Sequence, residues 1–487
     1  MKKLLQISLA ALLFFSVENS FAQRYLNEVF TNVTITPNVK YGRNISVLTG
    51  SPVAQDLFMD VYEPTGDTAT KRPVVIYLHT GSFLPTPLNG SPTGSKSDSA
   101  VVEMCSRFAK RGYVACALSY RLGWNPQSAN QDVRTGTLLN AVYRGIIDAK
   151  TSVRFMRENF SVGGNTFKVD TSKFVIGGQG AGGYIAFAYA SLDKVAELNL
   201  TKFLDASFAP YVNQALAGNF GGTDSTFLNS PSQNHPTYSD KASMIFNLGG
   251  ALGDSSWLEA GDIPMVAFHV PSDPFAPYTY GAVIVPVLNL FVVNVSGSHD
   301  VIRRANQLGN NNIINNVTYT DPYTTAANAV NGGYASLMPF YLPGPQAGPW
   351  EWWDPANTNH NAGLATNPNM SKTKGMAYID TIQGYLAPRI AKVLGLPGAP
   401  IGIKSIDSQK AAVSVYPNPS QADIKISSNE NIAQIYVYDA LGNLVKQINN
   451  VNANSYLLER KGMEAGIYLV KTMSDKNHQS IQKVVMQ

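Results

Sequence analysis
Apolar and polar positions follow two regimes along the chain, one running to about residue 395 and the other starting near residue 413. In the first, "DLFMDVYEP" alternates and predicts an exposed strand. "RPVVIYLHTG" is a continuous apolar run, the mark of a strand buried on both faces. The amphipathic helix "VVEMCSRFAKRG" follows and stops at Gly112, and "YVACALSYRLGW" is another buried strand. A long helix is predicted from about Leu138 to Glu158. Next, "KFVIGG" runs straight into a glycine-rich turn and the helix "GGYIAFAYASL". "IPMVAFHVPSD" reads as a buried strand ending at Asp273, and "SLMPFYLP" (Ser336–Pro343) as the last strand. "SKTKGMAYIDTIQGYLAPRIAKVLG" is the final helix. Strand, turn and helix in alternation predict an α/β fold with a doubly wound, mostly parallel sheet.

The second regime contains no helical period. "VSVYPNP", "ADIKISS", "IAQIYVYDALGNLVKQI" and "GIYLVKTMS" are short alternating runs broken by Asn, Gly and Pro, which predict a small all-β sandwich. Between the regimes lies a Gly-, Pro- and Ser-rich stretch without sustained periodicity. The chain opens with two lysines, an apolar run from Leu4 to Phe15 and small residues at Ser20 and Ala22, the pattern of a secretory signal peptide. The expected organisation is a signal peptide over 1–22, an α/β domain over 23–397, a linker over 398–412 and a β domain over 413–487. No later stretch is apolar enough to span a membrane, so the mature chain is expected without a membrane span.

Composition narrows the partners. A net charge of +4 over 487 residues favours neither nucleic acid nor an anionic membrane. No His, Asp and Glu cluster has metal-ligand spacing, and no metal or other cofactor is expected. The two cysteines, Cys105 and Cys116, fall on a helix and the strand after it, which leaves both a disulfide and two buried thiols open.

In a parallel sheet, chemistry belongs at the carboxyl ends of the strands. Three such ends carry candidate groups. "HTGSF" offers consecutive backbone N–H groups at Gly81 and Ser82, suited to holding an oxyanion. "VIGGQGAGG" makes the tight turn, and "AFHVPSDPFAPY" presents Asp273. With "GYVACALSYRLG", and in this order over some 370 residues, these pieces resemble the α/β-hydrolase carboxylesterase and lipase family. The resemblance implies a Ser-His-Asp/Glu triad hydrolysing esters, with the serine on a strained elbow and Ala181 N–H joining Gly81 and Ser82 as oxyanion donors.

The departure is at the nucleophile. In the Gly-x-Ser-x-Gly frame, Gly178 and Gly182 are in register and the apex is Gly180. Ala181 cannot attack either, and Ser191 lies too far down the helix. The histidine is also displaced. His79 belongs to the "HTGSF" loop, His269 to the strand before Asp273, His235 to an insertion and His478 to the tail. By order His360 is the candidate, although it lies 18 residues past Leu342. His299 is the second choice, at the start of a helix with Ser298 as its expected cap. Just after the last strand stands Gln346. Trp350, Trp352 and Trp353 follow it, either as stacking platforms for sugar or aromatic units or as packing for a lid.

The tail carries its own resemblance. "VYPNPS", "VYDALGNLV" and "GMEAGIYLVK" are similar to the C-terminal sorting domain of proteins exported by the Bacteroidetes type IX secretion system. That implies passage through the periplasm, recognition by outer-membrane export machinery, and a secreted or surface-attached product. The resulting expectation is an exported esterase-like protein without its nucleophile, binding a small-molecule or polymeric ester or glycan-like ligand. An active carboxylester hydrolase altered from serine to glycine, or a surface adhesion protein, are the alternatives.

Overall fold
A computed structural model describes residues 24–226, 228–285, 290–400, 412–440, 442–475 and 478–487. The signal-peptide segment and most of the linker lie outside them. The chain divides into two units, 1–403 and 404–487.

The first unit is organised by a central group of strands buried on both faces, with more exposed strands at the margins. β1 (Val33–Ser46), β2 (Val53–Pro64), β3 (Arg72–Leu78), β4 (Val114–Leu118) and β5 (Val169–Gln179) come first. β6 (Met244–Leu248), β7 (Ala251–Leu252), β8 (Met265–His269), β9 (Tyr280–Val285), β10 (Leu290–Gly297) and β11 (Leu337–Pro339) complete the unit. Eight of them form one sheet in the order β1-β2-β4-β3-β5-β6-β8-β11. From β4 to β11 every pairing is parallel, while β1 and β2 form an antiparallel edge. β7, β10 and β9 make a separate antiparallel sheet.

The two-residue period of a strand explains the two cores. In β3, Val74, Ile76 and Leu78 enter one cluster while Val75 and Tyr77 enter the other, and β4 alternates likewise. Helices Gln131–Ser161 and Ala181–Ser191 cover the first face, and Ser99–Lys110 and Lys372–Leu394 the second. The alternation also settles the cysteines. Cys116 points into the first cluster and Cys105 belongs to the second, so the sheet separates two free, buried thiols.

Three local expectations are corrected. The long helix starts at Gln131, because Asn130 caps it by accepting from Asp132 N–H at 2.8 Å, seven residues before Leu138. The strand before Asp273 stops at His269, and residues 270–273 form the turn that carries the carboxylate. Ser298 is the first helical residue rather than the cap, which is Gly297; its hydroxyl turns inward instead.

The second unit pairs five strands antiparallel, β12 (Val413–Tyr416), β13 (Ile424–Asp439), β14 (Leu444–Leu458), β15 (Gly466–Ser474) and β16 (Gln479–Met486), and adds one parallel bridge between Ser420 and Met486. The long β13 pairs with β12, β14 and β15, and its register breaks between Ser427 and Ile432. Ile424, Ile426, Ile435, Val437, Val470 and Val484 close its own core.

Candidate functional site
β5 ends in small residues because there is no room for others. A Cβ on Gly178 would stand 2.2 Å from Gly182 O, and one on Gly182 would stand 2.3 Å from Leu78 O. This close approach lets the helix Ala181–Ser191 start directly on the sheet. Gly180 N–H donates to Leu248 O at 2.8 Å and Gly182 N–H to His79 O at 3.0 Å, tying the turn to the ends of β6 and β3. Gly180 itself sits at φ 52°, ψ −116°, a conformation strained for any residue with a side chain. The strand-to-helix elbow is therefore present, with glycine at its apex.

What fills the missing side chain's place is Thr80. A Cβ on Gly180 would lie 2.1 Å from Thr80 Oγ1 and 3.0 Å from Thr80 Cβ. Thr80 opens the loop that also holds Gly81 (φ 115°), Ser82 (φ 52°) and Phe83 (φ 57°), three successive residues of positive φ. Trp124 Nε1–H donates to Ser82 O at 2.7 Å and Gly123 N–H to Phe83 O at 2.8 Å, which holds the loop in that shape. The N–H groups of Gly81, Ser82 and Ala181 make no hydrogen bond among the described residues. His79, by contrast, is buried: it stacks on Tyr120 with ring centres 4.5 Å apart, and burial lowers its pKa to about 4.

At the end of β8, Asp273 Oδ1 accepts from Phe275 N–H at 2.7 Å and Ala276 N–H at 3.1 Å. Burial pushes this carboxyl up to about 7 despite both donors. A buried polar chain stands behind it. His269 donates from Nε2 to Ala276 O at 3.1 Å, and its Nδ1 lies 2.7 Å from Ser298 Oγ, which accepts from Asn247 Nδ2 at 2.8 Å. Ser298 and His269 are fully buried, so this serine–histidine contact braces the Asp273 turn from inside the core.

No candidate imidazole is bonded to Asp273. His299 Nδ1 pairs with Asp300 at 3.0 Å, and its ring packs between Tyr278 and Tyr334. His360 starts a short helix and accepts at Nδ1 from Trp353 Nε1–H at 3.1 Å. Its neighbour Asn359 donates to Ser91 O, which ties this segment to the loop around residue 91. Gln346 is buried and donates to Pro343 O. Of the two readings of the tryptophans, packing fits: Trp350 and Trp353 are buried, and Trp352 packs over Gly375.

Sequence reasoning missed Glu351. Its Oε1 accepts from Gln179 Nε2 at 2.8 Å and its Oε2 from Thr93 Oγ1 at 3.2 Å, while Tyr77 O–H donates to Gln179 Oε1 at 2.9 Å. Burial, then the charge of Asp98, pushes this carboxyl up to about 8. Its side chain thus fastens the loop after β11 to the residue just before the apex. The signal was present in the sequence, since Glu351 lies between the last strand and the final helix and Gln179 in the elbow motif.

Residues 59–283 match the BD-FAE family model, and residues 414–487 match that of the secretion system C-terminal sorting domain. No curated protein matches the chain. Among solved structures, the chain is similar to the propionate-bound thermophilic esterase of the planctomycete Thermogutta terrifontis at 16% identity, covering 64% of this chain and 87% of that one with TM-score 0.32. The sarin-phosphonylated form of Thermogutta terrifontis esterase 2 gives 18% identity, 69% and 90% coverage, and TM-score 0.35. The first unit thus carries an esterase-like α/β-hydrolase domain of the BD-FAE family, and the second is a sorting tail of the type IX kind. Such a tail marks a protein for export, and no helix among the described residues is long and apolar enough to cross a membrane.

Proposed function
We propose that this exported α/β-hydrolase-fold protein binds a carbonyl or anionic group at the glycine turn without forming an acyl-enzyme. The observation that carries the reading is the pair Gly180 and Thr80. The apex has the backbone of a nucleophile elbow, and the space of its side chain is held by a hydroxyl from the facing loop. Gly81, Ser82 and Ala181 supply the unpaired N–H groups to which a carbonyl or carboxylate oxygen would bind. Asp273 and His360 keep the acid and imidazole types of the family. With His360 committed to Trp353, no base is poised to activate a hydroxyl. An active hydrolase whose serine was changed to glycine is a poorer reading of the same site, since a side chain at the apex would have to displace Thr80.

The test is hydrolysis of nitrophenyl acetate and octanoate by the protein, by Gly180→Ser and by Thr80→Gly/Gly180→Ser. The parent is expected to show no burst of nitrophenol. A burst stoichiometric with the parent protein would sink the reading.

Boundaries near 397 and 413 and export through the tail belong to the same proposal. Deleting residues 413–487 should strand the first unit in the periplasm of the native host. Normal delivery of the truncated protein to the surface or medium would refute the assignment.

A further inference from the structure
One outer face of the second unit mixes apolar and cationic side chains. Alternation sends Ile435 and Val437 of β13, Val470 of β15 and Val484 of β16 into the core, so the residues between them face outward. Cross-strand pairing lays those residues out in rows. Tyr436 lies beside Lys471 and Ile481, Tyr438 beside Leu469 and Lys483, and Ile467 beside Val485. None of these positions carries an acid. Ile467, Leu469 and Ile481 are 48%, 41% and 61% exposed, and apolar exposure gathered on one face marks a contact surface. The rings of Tyr436 and Tyr438 stack 6.5 Å apart on the same face.

The lysines decide what can cover it. Neither Lys471 nor Lys483 has an ion-pair partner among the described residues. In a self-complementary contact with a second copy the patch would meet itself, bringing lysines and no acid to both sides. The dry centre of a protein interface is also depleted of lysine, yet Lys471 stands in the middle of its row, between Tyr436 and Ile481. A lipid headgroup layer accepts both kinds of group at once. The apolar side chains enter the acyl boundary, while each lysine lays its stem along them and keeps its ammonium among hydrated phosphates. Tyrosine suits the same depth. Net charge over the whole chain gives no hint of this, because two lysines matter only through their place on one face.

We infer that the β13–β15–β16 face of the second unit adsorbs flat onto an anionic phospholipid surface without spanning it. The contact is additional to recognition by export machinery and independent of the glycine turn. Each lysine at such a surface strengthens binding about fivefold, and salt screens that part.

Co-flotation with vesicles of phosphatidylglycerol and phosphatidylethanolamine in equal parts, beside vesicles of phosphatidylcholine alone, tests this. The protein used is residues 23–487, which omit the apolar signal-peptide segment. The variants are Lys471→Glu/Lys483→Glu, Ile467→Ser/Ile481→Ser and, as a control, Leu457→Ser. Leu457 is 58% exposed but pairs with Lys425 on the other half of β13. Melting curves confirm folding, and either double variant carries the test if the other unfolds. Binding to the anionic vesicles is expected to fall about 25-fold or more in the lysine variant and about tenfold in the isoleucine variant. It should stay unchanged in Leu457→Ser and be weak on phosphatidylcholine. No co-flotation, equal binding by all four proteins, or phosphatidylcholine bound as tightly as the anionic vesicles would overturn the inference. So would a parent that floats with neither vesicle and instead forms a dimer, or retains an outer-membrane protein, through the same isoleucines and lysines. Either result would assign the face to a protein partner.

Discussion

Under the proposed function, the glycine turn and the loop after β11 differ from the Ser-His-Asp pattern in opposite ways. The turn has an elbow's backbone with no side chain at its apex: Gly180 holds φ 52°, and Gly178 and Gly182 permit the helix to sit on the sheet. The loop has an anchor and no imidazole: Gln346 and Glu351 stand between the last strand and His360, and Glu351 bonds the elbow through Gln179. A backbone shape set by close packing does not depend on the side chain at its apex, because altering it would disturb β3, β5 and β6 together. Side chains on a loop carry no such constraint.

The largest effect should come from supplying what each region lacks. In Thr80→Gly/Gly180→Ser, imidazole added to the buffer should accelerate nitrophenyl acetate hydrolysis by about 10²-fold or more over the same variant without it. The parent should respond no more than free solution does. An equal response in both would mean that the turn no longer presents a hydroxyl to a bound ester, and that the two regions failed together.

An intermediate effect concerns strain. Gly180→Ala should destabilise by about 1–3 kcal/mol in urea unfolding, since any Cβ at the apex meets an unfavourable backbone and Thr80. Thr80→Gly should recover part of that loss in the double variant. Unchanged stability in Gly180→Ala would show that the turn relaxes and is not rigidly kept.

The smallest effect is a pH slope from the loop. Glu351 is raised from 4.5 to about 8, so the native state holds a proton that the unfolded chain releases. Its contribution is full below pH 4.5 and declines as pH rises toward about 8. Glu351→Gln should remove that part of the slope and raise the melting temperature at pH 8 relative to the parent. An identical pH profile for both proteins would show that Glu351 ionises freely and does not anchor the loop as a neutral acid.

Much of this could be read from residues in order. The continuous apolar runs of β3, β4, β5 and β8 announced a parallel sheet, since only strands covered on both faces dispense with alternation. The glycines of "VIGGQGAGG" announced the turn, and the alternating runs after residue 413 announced a separate β unit. Those signals are local, carried by period and by residue size.

The tertiary structure alone decided the partners. That Thr80 occupies the space over Gly180 depends on two segments about a hundred residues apart meeting at adjacent strand ends. That His269 meets Ser298 and braces the Asp273 turn depends on β8 and a helix start packing together. The separation of Cys105 and Cys116 depends on which face of β4 each lies against. The sequence specified which groups exist and what backbone carries them. Distance and burial, which set whether a hydroxyl, imidazole or carboxyl is a reactant or a brace, arise only when remote segments pack.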